Sequence, residues 1–184
     1  LPEAVTEAHI ENLALPCRTL IDLGGKRWRP LLMILCANLS REFSRQQDSR
    51  KKLSEEQIYS LTPLVEFVHT ASLIHDDIED SAQMRRGKPA AHIVYGLDTA
   101  LNAGSWLYFE ASVCIDSLKA ASDFKAELYS LCTFELRRLH LGQAMDIYWH
   151  RNPDFFPSEE EYSAMVRCKT GTLASLAAKL GILA

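Results

Sequence analysis

His69 to Lys88 reads H-T-A-S-L-I-H-D-D-I-E-D-S-A-Q-M-R-R-G-K. An apolar approach runs into the acids Asp76, Asp77, Glu79 and Asp80, and then into Arg85, Arg86 and Lys88. Residues one or two helical turns apart share a face, so His69, Ser72, Asp76 and Asp80 form a polar stripe on a helix otherwise filled with Val, Leu and Ile. A polar stripe is costly to bury dry, so it is expected to line a wet cavity. Asp76 and Asp80 can offer single oxygens to one hard cation. Magnesium takes one or two carboxylates and completes its shell with water and phosphates. Taken alone, D-D-x-x-D also fits a solvated helix end, and His69 also fits a core histidine.

Two basic clusters favour the metal reading. Arg85-Arg86 follows the acids closely, and guanidinium pairs suit multivalent phosphate. Gly24-Gly25-Lys26-Arg27-Trp28-Arg29-Pro30 places a second cluster on a glycine turn that leads into a helix, a natural anion site. The spacing of a Walker loop is absent. A magnesium-type acid cluster with two phosphate-type basic clusters implies a pair of substrates, each carrying phosphates.

The rest of the chain reads as support for this stretch. Its 184 residues, 47% of them hydrophobic and 24% charged, suit one soluble globular domain over residues 1–184. A net charge of −4 argues against nucleic acid as the main partner. Cys17, Cys36, Cys114, Cys132 and Cys168 are scattered without a C-x-x-C pair, which fits a reduced cytoplasmic setting with the thiols as core fillers. Glu3, Glu7 and Glu11 interrupt any signal-like opening. Leu97–Leu118 is broken by Asp98, Asn102, Glu110 and Asp116, so it reads as a buried helix rather than a membrane span.

Few glycines and prolines interrupt the chain, and no segment alternates long enough to be a strand, so an all-α bundle of long helices is expected. The expected helices run from about Pro2 to Ile21, Pro30 to Leu39, Ser54 to the acid cluster with a kink at Pro63, Leu97 to Ala120, Asp123 to Trp149, and Ser158 to Leu183 with a break near Gly171. Ser54-x-x-Gln57 and Ser158-x-x-Glu161 read as capping boxes. The polar stretch Arg41–Lys52 is expected to be a mobile surface loop.

G-G-K-R-W-R-P, H-T-A-S-L-I-H-D-D-I-E-D, M-R-R-G-K-P-A-A-H, G-Q-A-M-D and K-T-G occur here in the order seen in trans-isoprenyl diphosphate synthases, from Gly24 to Gly171. With L-Y-F-E-A and E-E-E-Y-S-A-M-V-R-C-K-T-G, the chain most resembles the geranylgeranyl diphosphate synthases of that family. The resemblance implies an all-helical isoprenoid-synthase fold around a central cavity, joining isopentenyl diphosphate head-to-tail to an allylic diphosphate with Mg²⁺. Carried over by position, Asp76 and Asp80, with Asp77 contributing, would ligate the metal that grips the allylic diphosphate. Arg85, Lys169 and Thr170 would contact that diphosphate, and Lys26, Arg29, His69 and Arg86 would hold isopentenyl diphosphate. Gln143 and Asp146 would line the cavity near the metals and the forming cation. The small Ala71 and Ser72 would leave the tunnel open beneath the acids, while Tyr108, Phe109 and His140 resemble the floor of geranylgeranyl diphosphate synthases. Homodimerisation is the family's habit, with Leu97–Leu118 as the candidate interface.

One departure stands out. The family's second aspartate-rich motif, expected several tens of residues beyond K-T-G, is not found before Ala184, so the C-terminal part of the fold is expected to be missing and full activity is not expected of this stretch. A class I terpene cyclase would share D-D-x-x-D, but the G-G-K-R-W-R-P cluster and His69 disfavour it. A farnesyl or longer-chain synthase, or a non-catalytic partner subunit of a prenyl synthase, are the remaining alternatives.

Overall fold

A computed structural model describes residues 2–44 and 53–184. The elements are α1 (Glu7–Asp22), α2 (Trp28–Ser44), α3 (Glu55–Leu61), α4 (Pro63–Glu79), the strands β1 (Met84–Arg85) and β2 (Lys88–Pro89), then α5 (Ala91–Tyr95), α6 (Leu97–Glu110), α7 (Val113–Asp116), α8 (Ser122–Arg151), α9 (Glu159–Lys169) and α10 (Gly171–Leu183). The architecture is all-α, as the sequence leads one to expect.

Three boundaries and a hairpin refine that expectation. The first helix begins at Glu7 rather than Pro2, with a capping box at Thr6. The long helix from Ser54 is two helices: α3 ends at Leu61, and Pro63 opens α4, where its missing N–H leaves no bond unmade. The helix expected to continue to Ala120 stops at Glu110. The chain also has strands after all, in the short antiparallel hairpin β1–β2, with Met84 opposite Pro89 and Arg85 opposite Lys88. Arg86 at φ 51° and Gly87 at φ 77° give its turn the double left-handed conformation that matches the twist of a tight hairpin. Both capping boxes hold as expected, at Ser54 and Ser158. Of the expected surface loop, Arg41–Ser44 extend α2 and residues 45–52 lie outside the described residues.

The chain divides into two compact units, one comprising the residues up to Arg27 with Glu66–Val113, the other Trp28–Val65 with Cys114–Ala184. In the first unit α1 packs on α5 and α6, and a core of Cys17, Leu20, Ala71, Ile74, Ala100, Ala103 and Leu107 joins α1, α4 and α6. Full burial of each large aliphatic side chain there contributes about 1.5–3 kcal/mol. The small residues let the helices approach closely. A Cβ on Gly104 would lie 2.8 Å from the His75 ring, so α6 can pass α4 only with glycine at that point.

In the second unit α10 crosses α2, and a Cβ on Gly181 would stand 2.2 Å from the Met33 carbonyl oxygen. The Leu53 N–H donates to the Ala184 carbonyl at 2.8 Å, and Ser40 Oγ donates to that of Ile182 at 3.0 Å. α8 packs against α9 and α10. Glu135 on α8 is fully buried and is satisfied by Arg138, by Ser175 Oγ at 3.2 Å and by Lys179.

Candidate active site

In the first unit, the end of α4 and the hairpin assemble the acid cluster. α4 stops because Ser81 turns left-handed at φ 54° while the Ala82 N–H reaches back to the Asp77 carbonyl at 2.8 Å, a helix-ending motif that satisfies the last carbonyls. The tight hairpin then returns Arg85 to the helix it left. Arg85 Nε donates to Asp77 Oδ1 at 2.8 Å, its Nη2 also bonds Asp77, and the same Nη2 reaches Asp76 Oδ2 at 3.3 Å. The hydrogen bonds to Asp77 raise the Arg85 pKa; burial opposes this, and the charges of Asp77 and Asp76 add to it.

The aspartates separate by environment. Asp77 is 1% exposed, Asp76 is half-buried and Asp80 is exposed. Asp77 is therefore largely committed to orienting Arg85, and its Oδ2 is buried without a hydrogen-bond partner. Asp76 and Asp80, one turn apart, remain at the accessible end. These donors are all hard oxygens, which suits a cation of the magnesium type. Among the described residues no three His, Cys, Asp or Glu side chains converge into a metal cage.

Beside this cluster lies the turn after α1. Gly24 is left-handed at φ 78°, and a Cβ on Gly25 would stand 3.1 Å from Arg86 Nη2, so both glycines are required by geometry. Lys26 is exposed. Arg27 adopts φ 48°, a conformation that costs a non-glycine residue about 1–2 kcal/mol. Its Nη1 donates to Glu66 Oε2 at 2.7 Å and its Nη2 to the Ile21 carbonyl at 2.7 Å. Arg86 Nη1 donates to the Leu20 carbonyl at 3.4 Å. Its pKa is lowered by desolvation and by the charges of Arg27 and Arg85, with Glu66 opposing. His69 is half-buried one turn after Glu66.

Of the residues expected to shape a tunnel, Ala71 is fully buried, and Ser72 Oγ donates to the His69 carbonyl at 2.8 Å. Tyr108 packs against the His75 ring with centroids 5.4 Å apart, level with the acids. Burial, and then the charges of Glu79 and Asp76, push its hydroxyl pKa up. Phe109 is 76% exposed. His75, which sequence reasoning passed over, is fixed at both nitrogens: Nδ1 donates to the Ala71 carbonyl at 2.9 Å, and Nε2 meets Ser105 Oγ at 3.2 Å. Because a carbonyl only accepts, Nδ1 carries the proton.

The second unit holds the remaining candidates. Lys169, at the end of α9, forms an ion pair with Asp146 of α8. Thr170 joins α9 to α10, and Gln143 is half-buried on α8. His140 is exposed on α8, and Arg29 in the first turn of α2 lies over the Trp28 ring at 4.6 Å. Gly142 is what lets α9 reach α8 here: a Cβ on it would sit 2.3 Å from the Lys169 backbone nitrogen.

A family model described as polyprenyl synthetase matches residues 10–184. The chain belongs to the polyprenyl synthetase family. Among curated relatives, geranylgeranyl pyrophosphate synthase dpasD of Apiospora sacchari is 36% identical over 179 residues, covering 97% of this chain and 49% of the relative. Geranylgeranyl pyrophosphate synthase olcC of Penicillium canescens is 44% identical over 129 residues, covering 70% of this chain and 37% of the relative. Among solved structures, the geranylgeranyl pyrophosphate synthetase of the archaeon Geoglobus acetivorans superposes with a TM-score of 0.83 at 29% identity, covering 97% of this chain and 53% of that one. This polyprenyl synthetase chain thus spans about half or less of the length of such relatives. The family is generally metal-dependent. Among the described residues, no helix is long and apolar enough to cross a membrane.

Proposed function

We propose that the protein is a Mg²⁺-dependent trans-prenyltransferase that condenses isopentenyl diphosphate with an allylic diphosphate, giving geranylgeranyl diphosphate. Asp76 and Asp80 would hold Mg²⁺, with Asp77 behind them. The observation that carries the reading is the hairpin's return of Arg85 onto Asp77 and Asp76, which sets a fixed cation beside accessible carboxylates. Such carboxylates would hold a Mg²⁺, and the guanidinium beside them would bind the anionic oxygens of a diphosphate. That both curated relatives are geranylgeranyl pyrophosphate synthases supports the product assignment.

Bound Mg²⁺ supplies Lewis-acid neutralisation of the diphosphate leaving group. The chain's own residues supply the rest. Arg85, Lys169 and Thr170 bind the allylic diphosphate and stabilise charge as its C–O bond breaks. Lys26, Arg29, His69 and Arg86 hold isopentenyl diphosphate so that its double bond attacks the allylic cation, after which a proton is lost. Gln143 and Asp146 face the developing cation. Preorganised charge in a water-excluded site supplies most of the acceleration, and no protein nucleophile is needed. Ala71 and Ser72 leave room for the growing tail, and Tyr108, Phe109 and His140 limit it.

The protein would work in the cytoplasm as a homodimer, through the α6 face that exposes Leu97 and Leu101. The test is product chromatography after incubation of the full-length protein with isopentenyl diphosphate and each allylic primer in turn. Geranylgeranyl diphosphate formed only with Mg²⁺ supports the proposal. No condensation with any primer would refute it.

A further inference from the structure

The isopentenyl diphosphate site of the proposed function includes Lys26 and Arg86, and neither side chain explains why the glycine turn carrying Lys26 holds its shape beside Arg86. Arg27 does. It takes a left-handed backbone that only glycine adopts readily, and a non-glycine residue stays there when its surroundings over-determine it. Its guanidinium is fixed at both ends, by Glu66 Oε2 and by the Ile21 carbonyl, each at 2.7 Å. Glu66 lies on α4, 39 residues away in sequence, and is 8% exposed. Its charge also opposes the repulsion that Arg86 feels from Arg27 and Arg85. Arg86 in turn fills the space beside Gly25 and bonds the Leu20 carbonyl at the end of α1. One buried carboxylate therefore ties the glycine turn to α4 and makes the packing of neighbouring guanidiniums tolerable.

We propose that Glu66, acting through Arg27, is the positioning residue of the isopentenyl diphosphate site, presenting Lys26 and Arg86 to that diphosphate while touching neither substrate. The inference rests on the reading of that site given above. Removing the Glu66 charge releases Arg27 and leaves Arg86 unbalanced, so the turn loses its shape while the Asp76–Asp77–Arg85 cluster keeps its own partners.

The experiment compares Glu66→Gln, Glu66→Asp and Arg27→Met with wild type, each in the full-length protein. A displacement of about 1 Å in a positioned group costs up to about a hundredfold, so KM for isopentenyl diphosphate is expected to rise at least about tenfold in Glu66→Gln and Arg27→Met. KM for the allylic diphosphate and kcat stay within about twofold, Glu66→Asp recovers most of the loss, and the double variant is no worse than the worse single. Equal rises in both KM values, or a lower melting temperature with neither KM changed, would reduce Glu66 to a structural residue and overturn the proposal. Calorimetric titration of isopentenyl diphosphate reads the same loss as a Kd without turnover. That titration separates a failure of this proposal from a failure of the catalytic one. Arg27→Met, in the exposed turn, keeps the comparison readable should Glu66→Gln not fold.

Discussion

Replacing Gly142 by alanine tests how α8 and α9 bring Lys169 to Asp146. The added Cβ would lie 2.3 Å from the Lys169 backbone nitrogen, 2.7 Å from the Cys168 carbonyl carbon and 2.8 Å from Cys168 Cβ. The nearest two are backbone atoms, so no side-chain rotation relieves them, and α9 must retreat by about 1 Å to regain ordinary contact. Overpacking of this kind costs about 1–3 kcal/mol, and a backbone clash belongs near the top of that range. The gain in helix propensity from Gly to Ala returns about 1 kcal/mol. A net loss of about 2 kcal/mol lowers the melting temperature of a chain this size by about 4–8 °C, measured by thermal denaturation followed by circular dichroism. The same shift parts Lys169 from Asp146, and pyrophosphate binding should weaken with it. Gly171→Ala is the control, because its nearest neighbour would be the Val166 carbonyl oxygen at 3.7 Å. That variant should melt no lower than wild type. A Gly142→Ala protein as stable as the Gly171→Ala one would refute the packing argument.

Other outcomes follow from the same geometry. Asp77→Ala removes the anchor of Arg85 and should cost about 1–3 kcal/mol in urea unfolding, whereas Asp80→Ala, at an exposed site, should cost less than about 0.5 kcal/mol. Removing both Arg138 and Lys179 strands the fully buried Glu135 carboxylate and should cost about 3–5 kcal/mol, more than Glu135→Met, which strands no buried charge. Burial pushes the thiols of Cys17 and Cys132 from 9.0 up to about 12. The folded state therefore binds the proton more tightly, so stability is full below pH 9 and falls as pH rises from there toward about 12. Denaturant midpoints measured across that window check the sign, and alkylation below it should reach Cys36 and Cys168 first. Tyr108→Ala with Phe109→Ala should lengthen the product, and an unchanged chromatogram would count against their limiting role.

Much of this was written locally in the chain. Both capping boxes are four-residue signals, and each opens a helix where it stands. Asp76, Asp77 and Glu79 of D-D-I-E-D share α4, and Asp80 directly follows its last residue with its N–H on the Asp76 carbonyl, because helical periodicity brings them to one helix end. The hairpin escaped because its strands are two residues long, too short to alternate, and its turn is Arg-Gly rather than the usual Asn-Gly. The end of α6 at Glu110 escaped because Ala111-Ser112 carries neither glycine nor proline. The Arg27–Glu66 pair joins residues 39 apart, and no local pattern announces such a partner. Gly142 sits inside a recognisable motif, yet its physical reason exists only once α9 lies across it. Asp77 reads as one more acid in the sequence, and only burial separates it from Asp76 and Asp80.

The central claim is that Asp76 and Asp80 hold a divalent cation against a diphosphate. Its most direct test is calorimetric titration of inorganic pyrophosphate with and without Mg²⁺, on wild type and on the Asp76→Ala, Asp80→Ala double variant. The account predicts binding that requires Mg²⁺ in wild type and falls at least about tenfold in the variant, a loss of about 1.4 kcal/mol. Mg²⁺-dependent binding of equal strength in both proteins would contradict it.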